Sequence, residues 1–167
     1  PITANVFQFE TAAAWSATVS FTPFCPPAPR RAAFDFDGDG KTDPAVFRPS
    51  ENRWYILNSS IGFTSQVWGL SGDALAPADY DGDGKTDIAV WRPGNATWYI
   101  RHTLDNSIGA FQWGTSTDVP VPGDYDGDGV TDFAVFDNNT GIWNIQPSYR
   151  IGNTFTIASP WGSGADI

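Results

Sequence analysis

The sequence predicts an all-β chain of short strands arranged in tandem units, and three observations carry that expectation. Seventeen Gly and thirteen Pro interrupt the 167 residues so often that no helical pattern persists for the roughly twelve residues a helix wants. A nine-residue segment, Asp-aromatic-Asp-Gly-Asp-Gly-x-Thr-Asp, occurs three times, beginning at Asp35, Asp79 and Asp124, 44 and 45 residues apart. In each unit a Trp follows the first Asp by nineteen positions (Trp54, Trp98, Trp143) and opens an alternation of apolar residues with the period of a strand.

Residues 1–31 stand apart, because they lack Asp altogether and alternate Trp15, Ala17, Val19 and Phe21 with Ser16, Thr18, Ser20 and Thr22. That alternation predicts a strand, and Pro23 to Pro29 predict an extended, semi-rigid link after it. The strand either packs on its own chain or upstream domain, or acts as an arm that adds to the sheet edge of a neighbouring subunit. Residues 32–167 then hold the three repeats, 35–78, 79–123 and 124–167.

Within a repeat the Asp loop runs into Pro44–Phe47, Ile88–Trp91 or Phe133–Phe136, apolar runs suited to a buried strand. Turn-forming residues follow (48–52, 92–95, 137–141), then Trp54–Ile56, Trp98–Ile100 or Trp143–Ile145, so a hairpin is expected. A third strand ends at a Trp-Gly pair (Trp68-Gly69, Trp113-Gly114, Trp161-Gly162), and a short extended piece such as Val119–Pro122 leads into the next loop. Four short strands in about 45 residues is the period of a propeller blade, and a blade buries both faces only by stacking on its neighbours.

Carboxylates at positions 1, 3, 5 and 9 of each loop place hard oxygen donors along a tight turn, which suits Ca²⁺ with its six to eight oxygen ligands. The candidate metal ligands are Asp35, Asp37, Asp39 and Asp43; Asp79, Asp81, Asp83 and Asp87; and Asp124, Asp126, Asp128 and Asp132. The backbone carbonyls of Lys41, Lys85 and Val130 at position 7 complete the three sets, and Gly40, Gly84 and Gly129 at position 6 permit the sharp turn. Four acids this close repel one another, and a divalent ion converts that repulsion into coordination. Three Ca²⁺ would take the formal charge from -10 to -4. An EF-hand is excluded because Val46, Val90 and Val135 occupy position 12, where that loop needs Glu. Mg²⁺ suits the loops less well, since it keeps most of its water.

These loops, Asp35–Asp43, Asp79–Asp87 and Asp124–Asp132, resemble FG-GAP/VCBS repeats over residues 32–167. The resemblance implies integrin-α-like propeller blades with one Ca²⁺ loop each, in extracellular or cell-surface proteins that serve adhesion or scaffolding. The family's metal positions carry over onto all twelve loop aspartates. Rings of this kind need at least about four blades, whereas three repeats are present here. The chain, which opens on Pro1 without a signal-like region, therefore reads as a processed or partial one: an open or partial propeller completed by more chain or by a neighbouring subunit. Head-to-tail contacts between copies would build a filament where the rotation does not close.

Other functions fare worse. A surface of charge -10 repels phosphate backbones, so nucleic acid is not an expected partner, and no run approaches the roughly 18 apolar residues of a membrane span. Cys25 is alone and cannot close a disulfide within the chain. His102, the single histidine, has no Gly-x-Ser-x-Gly elbow to serve and reads as a surface residue. Asp73, Asp118 and Asp166 recur with the repeat and suggest a turn role, and the other acids outside the loops are scattered, so catalysis is not expected. The repeated Trp residues could stack on sugars but fit a core role better. Asn58, Asn95 and Asn138 lie in glycosylation sequons. The expected protein is a calcium-stabilised, non-enzymatic, extracellular structural or adhesive module of a surface assembly or filament. The alternative is a glycan- or protein-binding propeller domain of a larger secreted protein or enzyme.

Overall fold

The computed structural model describes residues 32–148 and the strand Phe155–Ile157. The expected strand at 15–21, the Pro-rich link, Cys25, the third Trp-Gly pair and Asp166 lie outside the described residues. Three antiparallel sheets follow one another along the chain. Sheet 1 holds β1 (Ala45–Arg48), β2 (Arg53–Asn58) and β3 (Gly62–Val67) in that order. Sheet 2 holds β4 (Ala74–Leu75), β5 (Ile88–Arg92), β6 (Thr97–Arg101) and β7 (Ile108–Gln112), again in sequence order. Sheet 3 holds β8 (Val119–Pro120), β9 (Phe133–Asp137), β10 (Ile142–Gln146) and β11 (Phe155–Ile157).

Each Asp loop of the second and third repeats joins a two-residue edge strand to the first long strand of the same sheet, β4 to β5 and β8 to β9. The loop base is closed by a single bridge, with Asp87 N–H donating to the Ala78 carbonyl and Asp132 N–H to that of Gly123, both at 2.8 Å. Sheet 1 has three strands among the described residues rather than the four expected. The positions matching β4 would be 30 and 31, outside those residues.

Packing repeats as the sequence does. Between sheets 1 and 2, Trp54 and Ile56 of β2 meet Ile88 and Val90 of β5, with Phe36 of the first loop. Between sheets 2 and 3, Trp91, Trp98 and Ile100 meet Val135 of β9, with Phe133 stacked on Tyr80 at a ring separation of 5.4 Å. The Trp of each of the two described Trp-Gly pairs ties one sheet to the next: Trp68 Nε1 donates to the Tyr99 carbonyl at 3.1 Å, and Trp113 Nε1 to that of Asn144 at 3.2 Å. Its own carbonyl accepts from the core Trp of the same unit, Trp54 or Trp98.

The glycine of the pair is there for two physical reasons. Gly114 has φ +98°, where a side chain is strained, and a Cβ on it would stand 2.9 Å from Val135 Cγ1. Gly69 repeats this against Val90, at 3.0 Å. Left-handed backbone costs an ordinary residue about 1–2 kcal/mol, and overpacking about 1–3 more. Gly114→Ala is therefore expected to lower stability by roughly 2–5 kcal/mol, read as a shifted urea midpoint at unchanged slope.

Two expectations are corrected. The run Pro44–Phe47 was expected to be buried like its counterparts, yet Val46 is 66% exposed whereas Val90 and Val135 are fully buried. Val90 and Val135 are covered by the preceding sheet, and no described sheet precedes sheet 1. Asn58, whose sequon could serve glycosylation only from an accessible side chain, is buried, and its amide donates to the Gly62 carbonyl and to Thr64 Oγ1, both at 2.8 Å. Asn95 is exposed and Asn138 half-buried.

The repeat-spaced core role for Trp holds for Trp54 and Trp98, and Trp91 is buried with them. Asp73 and Asp118 take the turn role, accepting the N–H of Leu70 and of Thr115 at 2.8 Å.

Candidate metal centres

The three loops fold the same way because their own amides orient their own acids. At position 1, Asp35 accepts N–H groups from Gly38 (2.7 Å) and Gly40 (2.8 Å), and Asp79 and Asp124 repeat both contacts. At position 3, Asp37, Asp81 and Asp126 each accept the amide two residues on at 3.2 Å. At position 5, Asp39, Asp83 and Asp128 accept the amides of Lys41, Lys85 and Val130. Gly40, Gly84 and Gly129 have φ of +85°, +90° and +89°, as the turn at position 6 requires.

The last acid of each loop is the most buried. Asp43 is 2% exposed and Asp87 and Asp132 are fully buried. Each takes one amide from position 2 (Phe36, Tyr80, Tyr125) and a second from a residue beyond the loop, Ser59, Thr103 or Ser148. Sequence reasoning missed these three residues. The signal was present, since a Ser or Thr stands five positions after the repeat Trp in every unit.

Carboxylate oxygens come within 4.8 Å of one another in the sets Asp35/Asp37/Asp39, Asp79/Asp81/Asp83 and Asp124/Asp126/Asp132. Asp43, Asp87 and Asp128 stand outside those sets, and Asp87 instead joins Asp81 and His102. Burial holds the Asp87 and Asp132 carboxyls above the usual carboxylate range, while hydrogen bonds from Ser60 hold Asp37 below it and those from Lys41 and Ser59 hold Asp39 below it. The acids fit a hard dication. Each carboxylate has about four lone-pair sites, the loop amides use one to three of them, and the donor set is all oxygen. Asp81 Oδ2 is buried and accepts no hydrogen bond.

The loops are also joined to one another. Thr86 N–H donates to the Asp35 carbonyl at 2.6 Å, and Thr131 N–H to that of Asp79 at 2.8 Å. At position 7 the side chain crosses the glycine at position 4 of the preceding loop. A Cβ on Gly38 would lie 2.9 Å from Lys85 Cε, and one on Gly82 would lie 3.0 Å from Val130 Cγ2. Lys41, in the first loop, is exposed and pairs with Asp39 at 2.8 Å.

His102 departs from its expected surface role. Its side chain is 19% exposed, and Nδ1 lies 3.3 Å from Asp87 Oδ2 and 3.4 Å from Asp81 Oδ2. The hairpin after β6 turns it back over the loop.

The profile of a family described as FG-GAP-like repeat matches residues 35–90 and again 79–135. Each match opens on the first Asp of one loop and closes three residues beyond the last Asp of the next. No curated protein and no solved structure matches the chain.

Proposed function

Because the chain belongs to the FG-GAP-like repeat family, we propose that it is a calcium-stabilised, non-enzymatic structural or adhesive module that works outside the cell or at its surface. Its three repeats act as blades of an open or partial propeller. One Ca²⁺ per loop is held by the acids at positions 1, 3, 5 and 9 and by the carbonyls of Lys41, Lys85 and Val130. The ion supplies the positive charge that lets four carboxylates share one turn. The observation that carries this reading is the ladder of loops, in which Thr86 and Thr131 bond each loop to the one before it. Metal held in the loops fixes the roots of β5 and β9, and through them the angle between sheets.

The face of sheet 1 that bears Val46 is the counterpart of the faces that sheets 2 and 3 bury. Leu57 and Phe63 lie on it as well, 56% and 64% exposed. That face receives another repeat, from a second copy or from more chain, by head-to-tail stacking or by strand addition. Among the described residues no helix is long and apolar enough to cross a membrane. Buried Trp54, Trp91 and Trp98 offer no plane to a sugar, which weighs against a glycan platform built on them.

The test is a count. Equilibrium dialysis should find three Ca²⁺ per chain, and Asp81→Ala should lower the count to two. A chain that binds no Ca²⁺ at millimolar concentration overturns the proposal.

A further inference from the structure

The second loop has a nitrogen donor beside its acids that neither neighbouring loop has, and two positions of the hairpin that follows it put it there. His102 occupies the place that Asn58 has in the first repeat and Pro147 in the third. In the first repeat Asn58 turns to β3 and donates to Thr64. The residue matching Thr64 in the second repeat is Gly109, as the pairs Ile56–Thr64 and Ile100–Gly109 establish. A Cβ at Gly109 would stand 3.1 Å from His102 Nε2. Glycine there removes the hydrogen-bond partner and makes room for the ring. The imidazole turns instead to the loop acids.

We infer that Asp81, Asp87 and His102 form a mixed nitrogen and oxygen site that takes a borderline transition-metal dication of the Zn²⁺ class, in the second repeat alone. Three donors converge. Nδ1 of His102 lies 3.3 Å from Asp87 Oδ2 and 3.4 Å from Asp81 Oδ2, and each of the three residues offers a ligand atom within 4.8 Å of the other two. Donors about 2.0–2.1 Å from a tetrahedral zinc stand about 3.3 Å apart, so these separations match two edges of such a shell. Asp81 Oδ2 is buried without a hydrogen-bond partner. With its proton on Nε2, the ring presents a lone pair at Nδ1. Water completes the shell, as at zinc sites with three protein ligands. Imidazole favours Zn²⁺ and its neighbours over Ca²⁺, which prefers oxygen. The inference rests on the loop reading above, because Asp81 and Asp87 belong to the second Ca²⁺ set, and the two ions are alternatives there.

The chain has a single histidine, so every imidazole resonance of ¹⁵N-histidine-labelled protein reports His102. Titrating the calcium-saturated full chain with Zn²⁺ should move the Nδ1 resonance and saturate at one equivalent. Dialysis of the same sample should show one tightly held Zn²⁺ and a calcium count that falls from three to two. The double variant His102→Asn with Gly109→Thr reproduces the pair that already folds in the first repeat, and it should lose that zinc equivalent. Imidazole resonances that stay in place at one equivalent of Zn²⁺ overturn the inference. So does a zinc equivalent that persists in the double variant. Three Ca²⁺ bound with an unmoved histidine would sink the zinc site alone, whereas zinc at His102 in a chain that binds no Ca²⁺ would sink the calcium reading alone.

Discussion

Adding EGTA to the calcium-loaded protein is expected to lower its melting temperature by roughly 15–30 °C, the combined effect of three sites. A ligand present at one hundred times its dissociation constant contributes about 2.7 kcal/mol, so three sites contribute about 8. A domain of this size has a total stability of about 5–15 kcal/mol, and each kcal/mol shifts its midpoint by about 2–4 °C. Chelation therefore takes away most of the margin. Part of that margin is electrostatic, since burial already disfavours the last acids of the second and third loops as anions. Mg²⁺ at the same concentration should restore only part of the shift, because it holds its water more firmly than it binds carboxylates. The measurement is differential scanning calorimetry in excess Ca²⁺, in EGTA and in EGTA followed by Mg²⁺. Coincident melts with and without chelator would end the architectural role of the metal.

Much of the fold could be read from the chain because local signals agreed with the repeat. The Asp loops, the hairpin turns and the Trp at the head of β2 and β6 fell where spacing placed them. Trp68 and Trp113 also ended their strands, though their second task was hidden: only the stacked sheets reveal that their indoles reach Tyr99 and Asn144. The ladder from Thr86 to Asp35 escaped notice for the same reason, as it joins residues 51 positions apart through backbone atoms that carry no sequence signature. His102 was misplaced because a histidine was weighed as a catalytic candidate or a surface residue, without asking which loop its hairpin returns to. Its relation to Gly109 appears only when strand register aligns one repeat on another. Val46 was misjudged by the opposite route, since its run has the same chemistry as two buried ones and burial depends on a neighbour the run does not encode.

That last difference leads to the prediction with the steepest contrast. Val46, Val90 and Val135 hold the same place in three repeats, so Val→Asp is one chemical change made in three surroundings. Val90 and Val135 are fully buried against the preceding sheet. An unpaired carboxylate placed there loses its hydration, at several kcal/mol per ion even after relaxation, and the packed methyl groups are lost as well. Each variant should lose about 4–5 kcal/mol or more, close to the whole stability of a marginal domain. Val46→Asp, at a site 66% exposed, should stay within about 0.5 kcal/mol of the parent, as surface changes do. Urea unfolding of the three variants in calcium-replete buffer measures the contrast directly. If the outer face of sheet 1 receives another repeat, Val46→Asp acquires a second phenotype: an intact chain by melting, and by sedimentation velocity a lost assembly, because the charge would then be buried between copies. A loss at Val46 as large as that at Val90 would mean the face is already covered within the isolated chain, and stacking on it by another copy would have to be abandoned.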